Sequence, residues 1–246
     1  MKPSVNHLAA GLALSMVLAA CGSQAGAPTA PITTEAATDA ASASASSLAS
    51  AAPVILAFGD SLYAGYQLAP TASYPARLEA ALTAAGTPAR VVNAGVSGDT
   101  TADGLQRLAF TLDNQPTKPT LVLLGLGGND MLRGMPPAQA RANLEAILAE
   151  LDRRRIPVVM TGMLAPPNMG ADYAHSFDAL YPALARAHHA ALVPFLLQPI
   201  VGHPEWQLAD HIHPNEVGVD RIVAASLPTI AAALRAALKP APPSPR

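Results

Sequence analysis

The chain has 246 residues, a length that fits one large domain or two small ones. Half of the residues are hydrophobic and 13% are charged, and the formal net charge of −2 gives no reason to expect nucleic-acid binding. The single cysteine excludes an intramolecular disulfide and a cysteine-based zinc site. Aromatic residues make up only 4% of the chain, which argues against an aromatic-rich sugar-binding cleft.

Residues 1–20 have the pattern of a signal peptide. Lys2 is followed by an apolar segment that is shorter than the roughly 20 residues of a membrane span. This segment ends in Leu18-Ala19-Ala20-Cys21, which resembles the lipobox of bacterial lipoproteins. The resemblance implies cleavage before Cys21, lipidation of its thiol and anchoring in the bacterial envelope, and Gly22 in place of an aspartate favours the outer membrane. An ordinary signal peptide with an incidental cysteine is the alternative.

The segments that flank the central part of the chain have little to bury. Residues 21–52 are rich in Ala, Ser, Thr and Pro and contain almost no large apolar side chain. Such a segment cannot offset the entropy lost on ordering, so we expect a disordered tether. The Pro-rich residues 239–246 are expected to form a disordered tail. Residues 53–238 are therefore expected to be the folded domain.

Strand and helix patterns alternate through that domain. Short apolar runs typical of buried parallel strands lie at 54–58, 90–93, 121–124, 157–160 and 191–194. Helical patterns lie at 74–85, 137–154, 178–189 and 218–238. Short connections between such elements predict an α/β fold in which helices cover both faces of a parallel sheet.

Ser61 lies at the turn after the first predicted strand. Ligands of parallel sheets bind at the carboxyl ends of the strands, so this turn is a candidate site. A serine that opens a helix there has its hydroxyl and its own backbone N–H at the rim of the sheet. The alternative is a serine that only caps the helix.

A base for this serine is available just before the last predicted helix. Asp210 and His213 are three residues apart, so one turn can bring the carboxylate to Nδ1 of the imidazole. The Nε2 atom is then free to face Ser61, which favours nucleophilic catalysis. A solvated polar turn is one alternative, and a metal site formed by His211 and His213 is another, which no Cys or Glu cluster supports.

Acyl transfer also needs hydrogen-bond donors for an oxyanion. Gly98 follows the second predicted strand, and its backbone N–H can approach a substrate closely because it has no side chain. Asn129 follows the third predicted strand, and its amide can donate two hydrogen bonds. The alternatives are a turn glycine and a helix N-cap.

Four sequence blocks together resemble the SGNH/GDSL hydrolase family. They are Gly59-Asp60-Ser61-Leu62, Ser97-Gly98-Asp99-Thr100, Gly127-Gly128-Asn129-Asp130 and Asp210-x-x-His213-Pro214. The resemblance implies a three-layer α/β/α domain with five parallel strands, like flavodoxin, and a serine ester hydrolase. It also implies that Ser61 is the nucleophile, His213 the base and Asp210 its orienting carboxylate. The oxyanion donors would be the backbone N–H groups of Ser61 and Gly98 and the Asn129 side chain.

Two loops next to this site are rich in Met, Leu and Pro. Leu132, Met163 and Leu164 are the candidates there for contact with an acyl chain, because flexible apolar side chains adapt to one. The expected substrates are acyl or aryl esters, lysophospholipids or acyl thioesters, without a metal or cofactor. A carbohydrate acetylesterase and a non-catalytic surface lipoprotein are the alternative functions. The sequence leaves the oligomeric state open.

Overall fold

The computed structural model describes residues 52–239. The predicted signal peptide, Cys21, nearly all of the predicted tether and the end of the predicted tail lie outside the described residues. The predictions for those segments are therefore not tested by the structure.

A five-stranded sheet forms the centre of the domain. Its strands are β1 Val54–Gly59, β2 Arg90–Gly95, β3 Leu121–Gly125, β4 Val158–Thr161 and β5 Ala191–Val193. They are all parallel and lie in the order β2-β1-β3-β4-β5. The prediction of five parallel strands is confirmed. The register pairs Gly59 with both Gly95 and Gly125, so β1, β2 and β3 end at the same edge.

Eight α-helices lie within the described residues. They are α1 Ser61–Ala64, α2 Tyr74–Ala84, α3 Thr101–Asp113, α4 Gly128–Leu132, α5 Pro137–Arg153, α6 Ala171–Asp178, α7 Leu180–Ala187 and α8 Glu216–Ala237. Short 3-10 helices lie at Pro70–Ala72, Pro167–Met169, Gln198–Ile200 and Pro204–Trp206.

The sheet separates two hydrophobic cores, which gives the three predicted layers. Alternate β1 side chains point to opposite faces, because side chains in a strand have a period of two. Leu56 and Phe58 pack on the face covered by α3, α5, α6 and α7. Ile55 and Ala57 pack on the face covered by α1, α2 and α8. Both faces of the sheet are therefore buried, which explains why the strands read as continuous apolar runs.

Two helix predictions need correction. The helix predicted over 178–189 corresponds to α7, whereas Asp178 is the last residue of α6, a helix that was not predicted, and the two helices are separated at Ala179. Pro182 explains the break, since it has no N–H to donate to the carbonyl of Asp178 and its ring crowds that carbonyl. The helix α3 was not predicted, although Thr100 and Asp103 form a capping box at its start.

The last helix, α8, is long and apolar enough to cross a membrane by length and composition. In the domain it packs against α2 and the sheet, and Val219, Ile222 and Ile230 are buried in the second core. Its apolar face is thus part of the interior of the α/β domain.

Candidate active site

Ser61 is held at the carboxyl edge of the sheet by a tight turn. β1 ends at Gly59, and Asp60 caps α1 by accepting a hydrogen bond from the backbone N–H of Leu62 at 3.0 Å. Ser61 is therefore the first residue of α1, as the sequence predicts. Its Oγ lies 2.8 Å from Nε2 of His213, a residue 152 positions further along the chain. The fold thus joins the first strand of the domain to the segment before its last helix.

The segment that carries His213 is shaped by Asp210. One carboxylate oxygen, Oδ1, accepts hydrogen bonds from the backbone N–H groups of Ile212 and His213 at 2.9 and 3.0 Å. The other oxygen, Oδ2, lies 2.7 Å from Nδ1 of His213. The same carboxylate therefore closes the turn and orients the imidazole. Asn215 fixes the end of the segment by capping α8 at the backbone N–H of Gly218.

Asp210 remains ionised at neutral pH. Burial raises its pKa, but the two backbone N–H groups and the imidazole together have a larger opposite effect and lower the pKa to about 2. An ionised Asp210 accepts the Nδ1–H of His213, which leaves Nε2 as an acceptor for the Ser61 hydroxyl. This tautomer is the one that a general base for Ser61 requires.

Three potential donors converge on the space beside Ser61. Within residues 52–239, the backbone N–H groups of Ser61 and Gly98 donate to no protein acceptor. Gly98 has a φ of +89°, a conformation that side-chain-bearing residues rarely adopt, and its carbonyl accepts a bond from Arg133 at 2.8 Å. The Asn129 side chain donates one hydrogen bond to the Asp99 carbonyl at 2.9 Å, which leaves its second N–H available to a ligand.

The alternative role of Asn129 as a helix N-cap is wrong. Gly127 caps α4, and Asn129 lies in the first turn of that helix. Its side chain reaches across to the segment after β2. This contact ties the two loops that hold the potential donors.

Arg107 connects the same loops to β1. Its Nε atom pairs with the Asp99 carboxylate at 2.5 Å, and its Nη2 donates to the Gly59 carbonyl at 2.9 Å. The guanidinium also lies over the Phe58 ring, 4.0 Å from the ring centroid. The ends of β1 and β2 are thus locked together on the side of α3. No sequence motif marks Arg107.

Asp60 is a buried carboxyl group beside the proposed nucleophile, with only 4% of its surface exposed. Burial is the main reason that its pKa is raised to about 6, and the Leu62 N–H and His213 act in the opposite direction. Asp99 adds to the rise through its own negative charge. Asp60 belongs to the first sequence block, but the block does not reveal that Asp60 is buried, because its burial depends on elements that pack over it.

An apolar cleft of about 510 Å³ opens beside Ser61 and His213. The predicted contact residues Leu132, Met163 and Leu164 all line it, and Leu132 and Leu164 are exposed. No sequence pattern marks five further apolar residues that line the cleft, which are Phe195, Leu197, Ile200, Val201 and Ile212. They lie in loops and a 3-10 helix without a periodic pattern. The cleft fits an apolar group attached to a reacting centre near Ser61.

A metal site has less support at this edge of the sheet. Both ring nitrogens of His213 are occupied by Asp210 and Ser61. In the described part of the chain, no cluster of three or more His, Cys, Asp and Glu side chains is arranged to hold a metal ion. This geometry allows an oriented imidazole to activate a serine, next to N–H groups that can donate to an oxyanion.

Comparison with known proteins identifies the family. Residues 57–221 match the model of the GDSL-like Lipase/Acylhydrolase family. The chain belongs to this family. An arylesterase from Vibrio mimicus is 41% identical over 165 residues, which cover 67% of this chain and 82% of that protein. Thioesterase 1/protease 1/lysophospholipase L1 from Escherichia coli strain K12 is 38% identical over 166 residues, covering 68% and 77% of the two chains.

A solved structure supports the same assignment. The crystal structure of AlinE4, an SGNH-hydrolase family esterase, is 55% identical and has a TM-score of 0.64. The match covers 74% of this chain and 97% of that one. The GDSL-like hydrolase described here therefore shares both sequence and fold with esterases, as its sequence blocks predict.

Proposed function

We propose that this GDSL-like hydrolase cleaves carboxylic esters that carry an apolar acyl or aryl group, through an acyl-enzyme on Ser61. The observation that carries the proposal is the continuous hydrogen-bonded chain from Ser61 through His213 to Asp210 at the mouth of an apolar cleft. Relatives named arylesterase and lysophospholipase support this substrate class. The name thioesterase adds acyl thioesters as a related class, because an acyl-enzyme accepts either leaving group.

The reaction begins when Ser61 Oγ attacks the carbonyl carbon and its proton passes to Nε2 of His213. The carbonyl oxygen becomes an oxyanion that accepts hydrogen bonds from the backbone N–H groups of Ser61 and Gly98 and from Asn129. Asp210 stabilises the imidazolium. Collapse of the intermediate breaks the ester bond, and the leaving oxygen or sulfur takes the proton from His213. Water then repeats the sequence and releases the carboxylic acid and free Ser61.

A chain-length series of p-nitrophenyl esters tests the substrate class. Each methylene buried in the cleft contributes at most about 0.8 kcal/mol, or about fourfold in kcat/KM. We expect kcat/KM to rise from the acetate to medium-chain esters and then to level off as the chain leaves the cleft. Leu164→Ala should flatten this rise and leave turnover of the acetate nearly unchanged. A series without any rise would contradict an apolar acyl site.

Leu238→Ala provides the matched control for that series. Leu238 is an exposed apolar residue at the end of α8 and does not line the cleft. Its replacement removes the same side chain as Leu164→Ala, so the chain-length profile should stay that of the wild type. Assays with acyl-coenzyme A substrates of equal chain length then compare ester with thioester cleavage.

We also propose that Cys21 is the lipidated N-terminus of the mature protein and that it anchors the enzyme in the bacterial envelope. The lipobox-like Leu18-Ala19-Ala20-Cys21 supports this proposal. Cys21→Ser should move the protein from the membrane fraction to the soluble fraction of cells. The soluble variant should keep its esterase activity, because no described site residue is a cysteine. Mass spectrometry that finds an unmodified Cys21 in the mature protein would refute the anchor.

A further inference from the structure

His213 is held by two hydrogen bonds that lie at opposite edges of its ring. Nδ1 meets Asp210 at 2.7 Å and Nε2 meets Ser61 at 2.8 Å. Both hydrogen bonds lie near the plane of the imidazole, so they only weakly resist a tilt of the ring about the axis through its two nitrogens. The backbone of His213 is held, because its carbonyl accepts from the Leu208 N–H at 2.8 Å and its N–H donates to Asp210 at 3.0 Å, so the tilt of the ring is what these contacts leave free. A contact on the face of the ring is needed to complete its support.

Tyr66 makes that contact. Its ring centroid lies 4.4 Å from the centroid of the His213 ring, and the two planes are inclined by 34°. Tyr66 is 38% exposed, so the interior of the domain does not account for the position of its ring. Unlike Tyr63 and Tyr74, which are buried in the second core, it packs at the mouth of the cleft.

The backbone that carries Tyr66 is fixed to the same turn as Ser61. The backbone N–H groups of Gly65 and Tyr66 both lie 3.2 Å from the carbonyl of Ser61. Gly65 has a left-handed φ of +82°, and a side chain there would lie 2.7 Å from Cβ of Ser73. This single turn therefore fixes the backbone of Tyr66 relative to that of the proposed nucleophile.

We propose that Tyr66 is a positioning residue for His213. The inference rests on the function proposed above and adds a residue to its machinery. The tyrosine face holds the imidazole in the plane that joins Asp210 to Ser61. When His213 takes the proton of Ser61, the negative face of the tyrosine ring also favours the imidazolium that forms. Both effects need the aromatic ring and neither needs its hydroxyl.

Three variants separate this role from substrate contact. Tyr66→Phe keeps the ring and should retain kcat within about twofold of the wild type. Tyr66→Leu and Tyr66→Met keep apolar bulk without a ring face, and each should lower kcat by about 2- to 10-fold with KM nearly unchanged. Phe110→Leu is the matched control, because Phe110 is a 72% exposed aromatic residue on α3 that does not line the cleft. Its kinetic constants should be those of the wild type.

Proton NMR gives a second measurement that does not depend on turnover. The Nδ1–H of His213, held by Asp210, should give a downfield signal in the wild type and in Tyr66→Phe. In Tyr66→Leu this signal should broaden, because a mobile ring exchanges its proton faster with water. A sharp, unshifted signal in Tyr66→Leu would overturn the proposal.

Other outcomes also have a definite meaning. Wild-type kcat with a raised KM in Tyr66→Leu would make Tyr66 a substrate contact and overturn the positioning role. Equal losses in Tyr66→Phe and Tyr66→Leu would assign the effect to the hydroxyl, and unfolding of both aliphatic variants would make the residue structural. Ser61→Ala in the same assay tests the proposed function separately, since full turnover by that variant would refute the serine mechanism whatever Tyr66 does.

Discussion

Replacement of Asn129 by alanine should separate a contribution to catalysis from a contribution to stability. One N–H of its side chain is used at 2.9 Å by the Asp99 carbonyl, and the second is available beside Ser61. Loss of the first bond should lower the free energy of unfolding by about 1 kcal/mol. Loss of the second should act only in the transition state, where removing one oxyanion donor costs about 3–4 kcal/mol.

The rate constant should therefore change far more than the stability. We expect kcat of Asn129→Ala to fall by about 10²–10³-fold with little change in KM, provided that acylation is rate-limiting. The melting temperature should fall by only about 2–4 °C. Steady-state kinetics on p-nitrophenyl acetate and thermal unfolding, both on one preparation, give the two numbers.

Asn143→Ala is the control for this pair of measurements. Asn143 is also partly buried and also donates one side-chain hydrogen bond, to Oγ1 of Thr101 at 3.0 Å, but it does not line the cleft. It should lose a similar amount of stability and retain wild-type kcat. A kcat for Asn129→Ala within a few-fold of the control would refute the assignment of Asn129 as an oxyanion donor.

Two predictions concern pH. Because folding raises the pKa of Asp60 from 3.8 to about 6, ionisation of this carboxyl costs stability as the pH rises through 6. The free energy of unfolding of Asp60→Asn minus that of the wild type should therefore rise by up to about 3 kcal/mol from pH 4 to pH 8. Urea unfolding measures this difference, and an equal difference at both pH values would contradict the prediction. For His188, burial lowers the pKa, but hydrogen bonds to Asp152 and Glu145 outweigh it and raise the pKa above 6.5. The stability that His188 contributes is present below pH 6.5 and is lost as the pH rises through the raised pKa. His188→Asn should therefore lower the free energy of unfolding more at pH 6 than at pH 9. An equal decrease at both pH values, measured by urea unfolding, would contradict this prediction.

The sheet could be predicted from the sequence because parallel strands are buried on both faces. Each strand therefore has a continuous apolar run, and all five runs were found within two residues of their observed ends. The helix α3 was missed although Leu105, Leu108 and Leu112 follow the spacing of a helix face and Thr100 and Asp103 mark its start. Pro182 marks the break between α6 and α7 in the sequence, because a proline has no N–H for the carbonyl four residues before it.

The part of the site that follows the strands could also be predicted from the sequence. Ser61, Gly98 and Asn129 each follow a strand, so the parallel topology alone brings them to one edge. Asp60 and Tyr66 belong to the first block or the turn after it, yet their roles depend on burial and on the approach of a segment about 150 positions away. No local pattern carries that information. The same holds for Phe195, Leu197 and the other apolar residues of the loops that line the cleft.

Covalent labelling with an organophosphonate tests the central claim most directly. A p-nitrophenyl phosphonate mimics the ester, and attack by Ser61 Oγ releases p-nitrophenol and leaves a stable phosphorus–oxygen bond. Peptide mass spectrometry should find one adduct per chain, on Ser61, with loss of esterase activity in proportion to labelling. Ser61→Ala should neither be labelled nor turn over ester. An adduct on a different residue, or activity that survives full labelling of Ser61, would contradict the account.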